Sequence, residues 1–561
     1  MVRSAAREGR ERGPYWKSRL TVLILVLGLG ILHSNAQGAQ PTVLFFQSTT
    51  RVEAYDFVEV TFQVKPATVQ NPFTDVLIQG KFRQEGAAPL SVVGFCDSAD
   101  GTVYRIRFLP TKSGKYEYSI TYRQGDFSQS HTGTFVAKAG KRRGILRVDK
   151  DYPWHFIWEG TGEHYFFNGT TAFLLMGWQA EKIIRDSIDR LHRLKVNRMR
   201  VLLGSGRSAS FWGEPIIPNK EFRPYLNPWI AMRPNDPSRP DFDYTRFNIA
   251  YWQKFERMLR YARERDMVIS VVFDWNESPV HPSADSEDEH RYFRYAAARL
   301  SAFSNVTWDL GDDISAYRSL EWSHRTGTLL HQWDPYHHLA TDHPIDNKHQ
   351  DRTAEWFSLT SFQQWPRPLH RWMLNQRKFQ AKTGRIIPQT NEEYGYEDHY
   401  PYWSPSYPDG ASADANRRAA WEVAMAGTYQ TTGETAKRGT GVWPDTGGGW
   451  VNGRGDNTMV MLQGYAHMVD FFTSFEWWKA DPHDELVNHG AFCLAEPGSV
   501  YAVYLQKGGE VTVKLTPGRY QANWFNPRTG EPTPLPGADG PVWTSPKAPD
   551  SGDWALLLRK M

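Results

Sequence analysis

The chain has 561 residues, too many for one hydrophobic core, and should divide into roughly two to four domains. Its formal net charge is +3, and no long basic run follows residue 19, which excludes an electrostatically held nucleic-acid partner. Cys96 and Cys493 are the only cysteines. They fall in different predicted domains, so neither a disulfide framework nor a cysteine metal cluster is expected to hold the fold.

In chain order, residues 1–39 read as an export signal. A basic segment from Arg3 to Arg19 precedes an apolar stretch over 20–32, and small residues offer cleavage after Ala36 or Ala39. That stretch is shorter than the roughly 20 residues a membrane span needs. No later segment is apolar enough to span, so the mature protein is expected to be soluble and either secreted or periplasmic. Residues 40–140 alternate apolar and polar positions in short runs, at 57–64, 102–108 and 116–122, with a turn at Ser113-Gly114. That pattern predicts an antiparallel, Ig-like β-sandwich.

A basic, Gly-rich hinge opens the next region, 141–483, where apolar runs alternate with helical stretches. Strands are expected at 165–175, 196–203, 267–273, 305–310, 338–341, 356–362, 386–390 and 439–443, and amphipathic helices at, for example, 181–194 and 247–265. Eight strands with intervening helices suit a (β/α)8 barrel. A doubly wound sheet is disfavoured because no Gly-rich phosphate loop follows the first strand, and no cofactor is expected. Residues 484–561 return to alternation and predict a C-terminal β-sandwich. The fold class is thus α/β, a TIM barrel between two sandwiches.

Two acidic runs mark where chemistry should lie. One closes Trp308-Asp309-Leu310-Gly311-Asp312-Asp313 at strand 4, and the other lies in Asn391-Glu392-Glu393-Tyr394-Gly395-Tyr396-Glu397 at strand 7. Catalytic groups in a barrel sit at the C-terminal strand ends, so Asp313 and Glu393 are expected to face one another across the mouth. Two facing carboxyl groups are what cleavage of a glycosidic bond requires. Sugar hydroxyls need donors and acceptors nearby. The strand ends offer Arg200, Asp274-Trp275-Asn276, Asp342-His343, Gln363-Gln364-Trp365, and Trp443-Pro444-Asp445, with Trp450 as an aromatic platform. Arg200 and Tyr394 are expected to steady an ionised Glu393. Asp309 or Asp312 would raise the pKa of a protonated Asp313 by like-charge repulsion. The aromatic content of 14% supplies core and, at the mouth, faces for sugar rings.

The order of these pieces resembles the apiosidase-like glycoside hydrolases, whose barrels carry Trp-x-Leu-Gly-Gly-Asp at strand 4 and Asn-Gly-Glu-Pro-x-Tyr-Glu at strand 7. Phe166-Phe167-Asn168-Gly169-Thr170-Thr171 and Val196-Asn197-Arg198-Met199-Arg200-Val201 complete the likeness at strands 1 and 2. The resemblance implies a retaining glycosidase acting on plant or algal polysaccharide, with Asp313 as acid/base and Glu393 as nucleophile. Asp312 in place of the second Gly, Glu392 in place of Gly and Tyr394 in place of Pro depart from the family pattern. Those departures leave open a non-catalytic carbohydrate-binding protein with a degenerate site, or a scaffold. The histidines at 337, 338, 343 and 349 lack a His-x-x-x-His spacing, so no catalytic metal is expected. The sequons Asn168-Gly169-Thr170 and Asn305-Val306-Thr307 fall on predicted buried strands.

Overall fold

A computed structural model describes residues 40–204, 210–211, 214–215, 222, 227–236, 241–276, 281–397, 412–433, 453, 460–488 and 490–561. The expected export signal, strand 8 at 439–443, and Trp443, Asp445 and Trp450 all lie outside the described residues.

The N-terminal sandwich comprises a sheet of Thr42–Gln47, Val58–Lys65, Val103–Phe108 and Phe95–Cys96. It faces a second sheet of Arg51–Glu53, Phe127–Lys138, Gly114–Gln124, Val76–Gln84 and Leu90–Val93. Alternation buries Val58, Val60, Phe62 and Val64 on one side of their strand, as the two-residue period dictates. The sandwich docks on the barrel through a buried charge network. Arg107 straddles Glu256 with two bonds of 2.7 and 2.9 Å. Arg299 donates to Glu256 at 2.5 Å and to Asp97 at 2.6 Å. Phe57 and Phe95 lie against the Arg107 guanidinium, 5.2 and 4.8 Å from their ring centroids.

The barrel strands are Asn168–Thr171, Arg198–Leu202, Val268–Val272, Val306–Asp312, Ala340–His343, Phe362–Gln363, Thr390–Glu393 and Tyr429–Thr432. They form one parallel sheet in the order 5-4-3-2-1-8-7-6. Strands 5 and 6 close the circle through a bridge between Ala340 and Phe357 and a 2.8 Å bond from Ser358 N to the Ala340 carbonyl. Helices Glu181–Arg193, Ile249–Arg263, Glu287–Leu300, Leu320–Trp333, Leu369–Lys382, Ala413–Met425 and Met461–Thr473 surround it. Strand 5 is followed by loop alone before strand 6. Ile184, Ile188 and Leu191 form the buried stripe of the first helix, spaced as a 3.6-residue turn requires. Ser286, Ser319 and Ser412 cap three of the helices through their hydroxyls.

Strand 8 is Tyr429–Thr432, ten residues before the expected segment. Its helix-facing groups are polar: Gln430 donates to Asn168 Oδ1 at 2.7 Å, and the Thr432 hydroxyl binds the Gly395 carbonyl. A search for apolar runs passes over such a strand. Strand 1 also starts later than expected, because His164–Tyr165 pairs instead in a small antiparallel sheet with Phe156–Trp158 and Leu146–Val148.

The C-terminal region forms a sheet of Asp481–Pro482, Ala491–Glu496, Val500–Leu505, Trp554–Lys560, Arg519–Phe525 and Pro532–Pro534. It packs on the pair Thr512–Lys514 and Val542–Thr544, with Tyr501, Val503, Val513, Trp524 and Leu556 in their common core. Arg417 anchors this sandwich to the barrel through Asp553, at 2.6 and 3.2 Å, while Tyr504 stacks on Trp421 and donates to Asp553 at 3.0 Å.

Gly327 lies in the helix Leu320–Trp333, where alanine would ordinarily stabilise by about 1 kcal/mol. A Cβ at this position would overlap the buried Trp356 indole. Gly327→Ala is therefore expected to destabilise by about 1–3 kcal/mol, read as a lower urea midpoint at unchanged slope.

Candidate active site

Strand 2 reads Arg198-Met199-Arg200, so both guanidiniums point into the barrel while Met199 faces the helices. Arg198 donates to Glu392 Oε1 and, at 2.8 Å, to Ser270 Oγ, with its guanidinium over Phe167. Arg200, fully buried, donates through Nη2 to Asp309 at 3.0 Å and Asp312 at 2.8 Å. Its Nε lies 3.3 Å from Glu392 Oε2. Ser361 Oγ donates to the same Glu392 oxygen at 2.7 Å. Burial opposes charge on Glu392, but Arg198 and Arg200 outweigh it and hold its pKa below the ordinary value. Glu392 is thus a locked anion inside the barrel.

Glu393 turns the other way along the strand, to the mouth. Burial raises its pKa, opposed by Arg200 and by hydrogen bonds from Gln363, Tyr396 and Trp365. Strand 4 ends in Asp312 and Asp313. Asp313 adopts a left-handed backbone, φ 53°, a conformation that Asp tolerates better than most residues. That turn aims its carboxyl at strand 6, where Gln363 Nε2 donates to Asp313 Oδ1 at 3.3 Å. One amide side chain therefore touches both Asp313 and Glu393. Asp312 lies deeper, beneath Arg200. Burial pushes its pKa up to about 7, with Arg200 and His343 pulling it down and Asp313 and Glu393 pushing it up.

His343 closes the strand-5 side. Its Nδ1 lies 2.8 Å from Ser361 Oγ, and its Nε2 lies 3.4 Å from Glu393 Oε2 and 3.7 Å from Asp312 Oδ1. Burial, then Arg200, lowers its pKa to about 4, so the ring is neutral near pH 7. Ligand atoms of Asp312, His343 and Glu393 all lie within 4.8 Å of one another. Asp274 at the strand-3 end is buried, and burial raises its pKa to about 8.

Trp275 is buried, bridges to Asp312 in the sheet and stacks on Phe173. Asn276 is half-buried beside it. Trp365 meets Tyr396 edge to face, while the Gln364 amide donates to the Pro366 carbonyl at 3.0 Å and its backbone N–H to Asn391 Oδ1 at 3.3 Å. The Tyr394 hydroxyl is engaged by Gln430 at 2.7 Å and Tyr465 at 2.6 Å, on the helix side of strand 7. Sequence reasoning missed Arg198, Ser361 and Tyr396. The Arg-x-Arg spacing on a strand was a readable signal for the first, whereas nothing local to Ser361 announces its role.

The comparisons agree with this picture. Residues 223–434, which hold strands 3 to 8, match the family model described as "Apiosidase-like, catalytic domain". Residues 51–123 match a domain of unknown function, DUF5060. A crystal structure of a candidate glycoside hydrolase from Bacteroides vulgatus ATCC 8482 superposes with a TM-score of 0.75 at 18% identity, covering 91% of this chain and 100% of that one. A glycoside hydrolase family 5 structure from the same organism gives 0.57 at 16% identity, covering 74% and 94%. No curated protein matches the sequence. Among the described residues no helix is long and apolar enough to cross a membrane. The chain thus carries, over residues 223–434, a match to the apiosidase-like catalytic domain behind a DUF5060 domain, on a barrel of glycoside-hydrolase fold.

Proposed function

We propose that the protein is an exported, retaining glycoside hydrolase that removes side-chain sugars from plant or algal polysaccharides. The observation that carries the reading is the Gln363 amide, which ties the Asp313 and Glu393 carboxyls together at one mouth. Protonated Asp313 gives its proton to the glycosidic oxygen as Glu393 attacks the anomeric carbon. Asp313 then draws a proton from the water that hydrolyses the glycosyl ester. Arg200, Tyr396 and Trp365 hold the Glu393 carboxylate for that attack, and neutral His343 leaves it free of a competing cation. Removal of residues 1–39 during export would show as a mature N-terminus after Ala36 or Ala39.

Asp312 competes for the acid role, because one of its oxygens lies within 4.8 Å of one on Glu393. Arg200, donating to it at 2.8 Å, opposes the burial that raises its pKa to about 7 and argues against that role. Reducing-sugar release from pectic, hemicellulosic and algal glycans tests the activity itself. Asp313→Asn is expected to lose roughly 10²–10⁴-fold on a natural glycan. On an aryl glycoside with a good leaving group, added azide should restore turnover, giving a product of retained configuration. Rescue of Asp312→Asn instead would move the acid to Asp312. Sugar binding without cleavage across the whole panel would make the protein a lectin-like binder.

A further inference from the structure

One proton decides what His343 presents to the mouth. Ser361 Oγ carries a single hydrogen, and Glu392 Oε2, 2.7 Å away on a carboxylate paired with Arg198 and Arg200, takes it. The hydroxyl therefore offers His343 a lone pair, so Nδ1, 2.8 Å away, must be the donor. A neutral ring protonated at Nδ1 turns a bare electron pair outward at Nε2.

That pair has no hydrogen-bond donor opposite it. Nε2 is buried and unpartnered, and the atoms facing it are Glu393 Oε2 at 3.4 Å and Asp312 Oδ1 at 3.7 Å. Of the strand-2 guanidiniums, Arg198 is committed to Glu392, while Arg200 donates to Asp309 and, at 2.8 Å, to the same Asp312 Oδ1 that faces the histidine. Three electron-pair donors thus converge, and Arg200, which reaches Asp312, makes no hydrogen bond to His343 Nε2.

The spacing suits a metal ion. With bonds of about 2.1 Å, a tetrahedral ion sets its ligands about 3.4 Å apart, close to both His343 distances. One imidazole nitrogen with two carboxylate oxygens favours a borderline transition ion over Mg²⁺ or Ca²⁺, which prefer oxygen alone. Ser361 and Glu392 supply the outer hydrogen bonds that fix the histidine tautomer, as such partners do in established sites.

We propose that Asp312, His343 and Glu393 bind a divalent transition cation of the Zn²⁺ class in the sugar-free site. By engaging Glu393, the ion blocks glycoside cleavage reversibly; only this second statement rests on the proposed function. The test is calorimetric titration of the mature full-length chain with Zn²⁺, with Mg²⁺ as comparison and no sugar present. Wild type is expected to take up about one equivalent of Zn²⁺ and to ignore Mg²⁺. Asp312→Asn and His343→Gln should each weaken binding at least roughly tenfold. Ser361→Ala, which leaves every ligand in place, should weaken it by roughly 10–100-fold. Circular dichroism establishes that each variant is folded, and Asp312→Asn, nearly isosteric, carries the test if His343→Gln is not. No Zn²⁺ uptake by wild type, or uptake unchanged in Asp312→Asn and Ser361→Ala, overturns the proposal. The Nε2 electron pair would then be met by a proton on one carboxyl. Because binding is read without substrate, silence on every glycan leaves this test intact.

Discussion

Replacing Glu393 by alanine is expected to lower turnover at least roughly 10³-fold and to leave the protein as stable as wild type or more so. The two outcomes share one cause. Glu393 stands against Asp312 and Asp313 in a buried mouth, where burial already disfavours its charge. Removing the carboxylate relieves that repulsion while deleting the group that attacks the sugar. Active sites commonly trade stability for function in this way. Azide added to the variant should fill the vacated space and yield a glycosyl azide of inverted configuration, since it attacks from the face Glu393 used. The neighbouring residue gives the opposite pattern. Glu392→Ala removes the partner of Arg198 and Arg200 inside the barrel, so that variant is expected to lose stability. A Glu393→Ala protein that retains wild-type turnover would refute the assignment, and thermal denaturation of the two variants separates their roles.

Glu256→Ala is expected to destabilise by about 3–5 kcal/mol, among the largest single effects on the fold. Arg107 and Arg299 are almost wholly buried, and the variant leaves both without their shared carboxylate. A buried charge stripped of its partner costs that order, whereas exchanging the whole cluster for well-packed apolar residues is often neutral. Changing Glu256, Arg107 and Arg299 together to apolar residues should therefore recover much of the loss. The same carboxylate predicts an acid limit. Burial raises its pKa, but Arg107 and Arg299 prevail and lower it to about 2, against about 4.3 in an unfolded chain. A depressed pKa stabilises fully above the unfolded value and ceases to do so as pH falls through the folded one. The Glu256 contribution should fade between about pH 4.5 and pH 2, seen as a midpoint gap between wild type and variant that closes over that range.

The barrel was legible wherever its strands were apolar. Strand 3, for example, is apolar at every position of Val268–Val272 but Ser270, because both of its faces are covered. Strand 8 is Tyr-Gln-Thr-Thr, and its polar groups are satisfied by Asn168 on neighbouring strand 1 and Gly395 just after neighbouring strand 7, pairings invisible to a local window. The two acidic runs were legible as strand ends. Which acid of each pair faces the mouth was not, because that depends on a bulge. The strand-4 register slips between Asp309 and Asp312, and the chain then turns left-handed at Asp313. Ser361 and Tyr396 escaped for a related reason. Their roles arise from His343, Glu392 and Glu393, which lie near them only once the barrel has closed.

Both sandwiches are fastened by split pairs, half of each residing in the barrel: Arg107 with Glu256 on one side, Asp553 with Arg417 on the other. Recombination that moved the barrel gene segment alone would carry away Glu256 with Arg299 but not Arg107, and Arg417 with Asp414 but not Asp553. Such a transplant would begin life with two defects that selection must repair before any new specificity could be tried. The three modules are therefore heritable as one cassette, and diversification is channelled into the loops of the mouth.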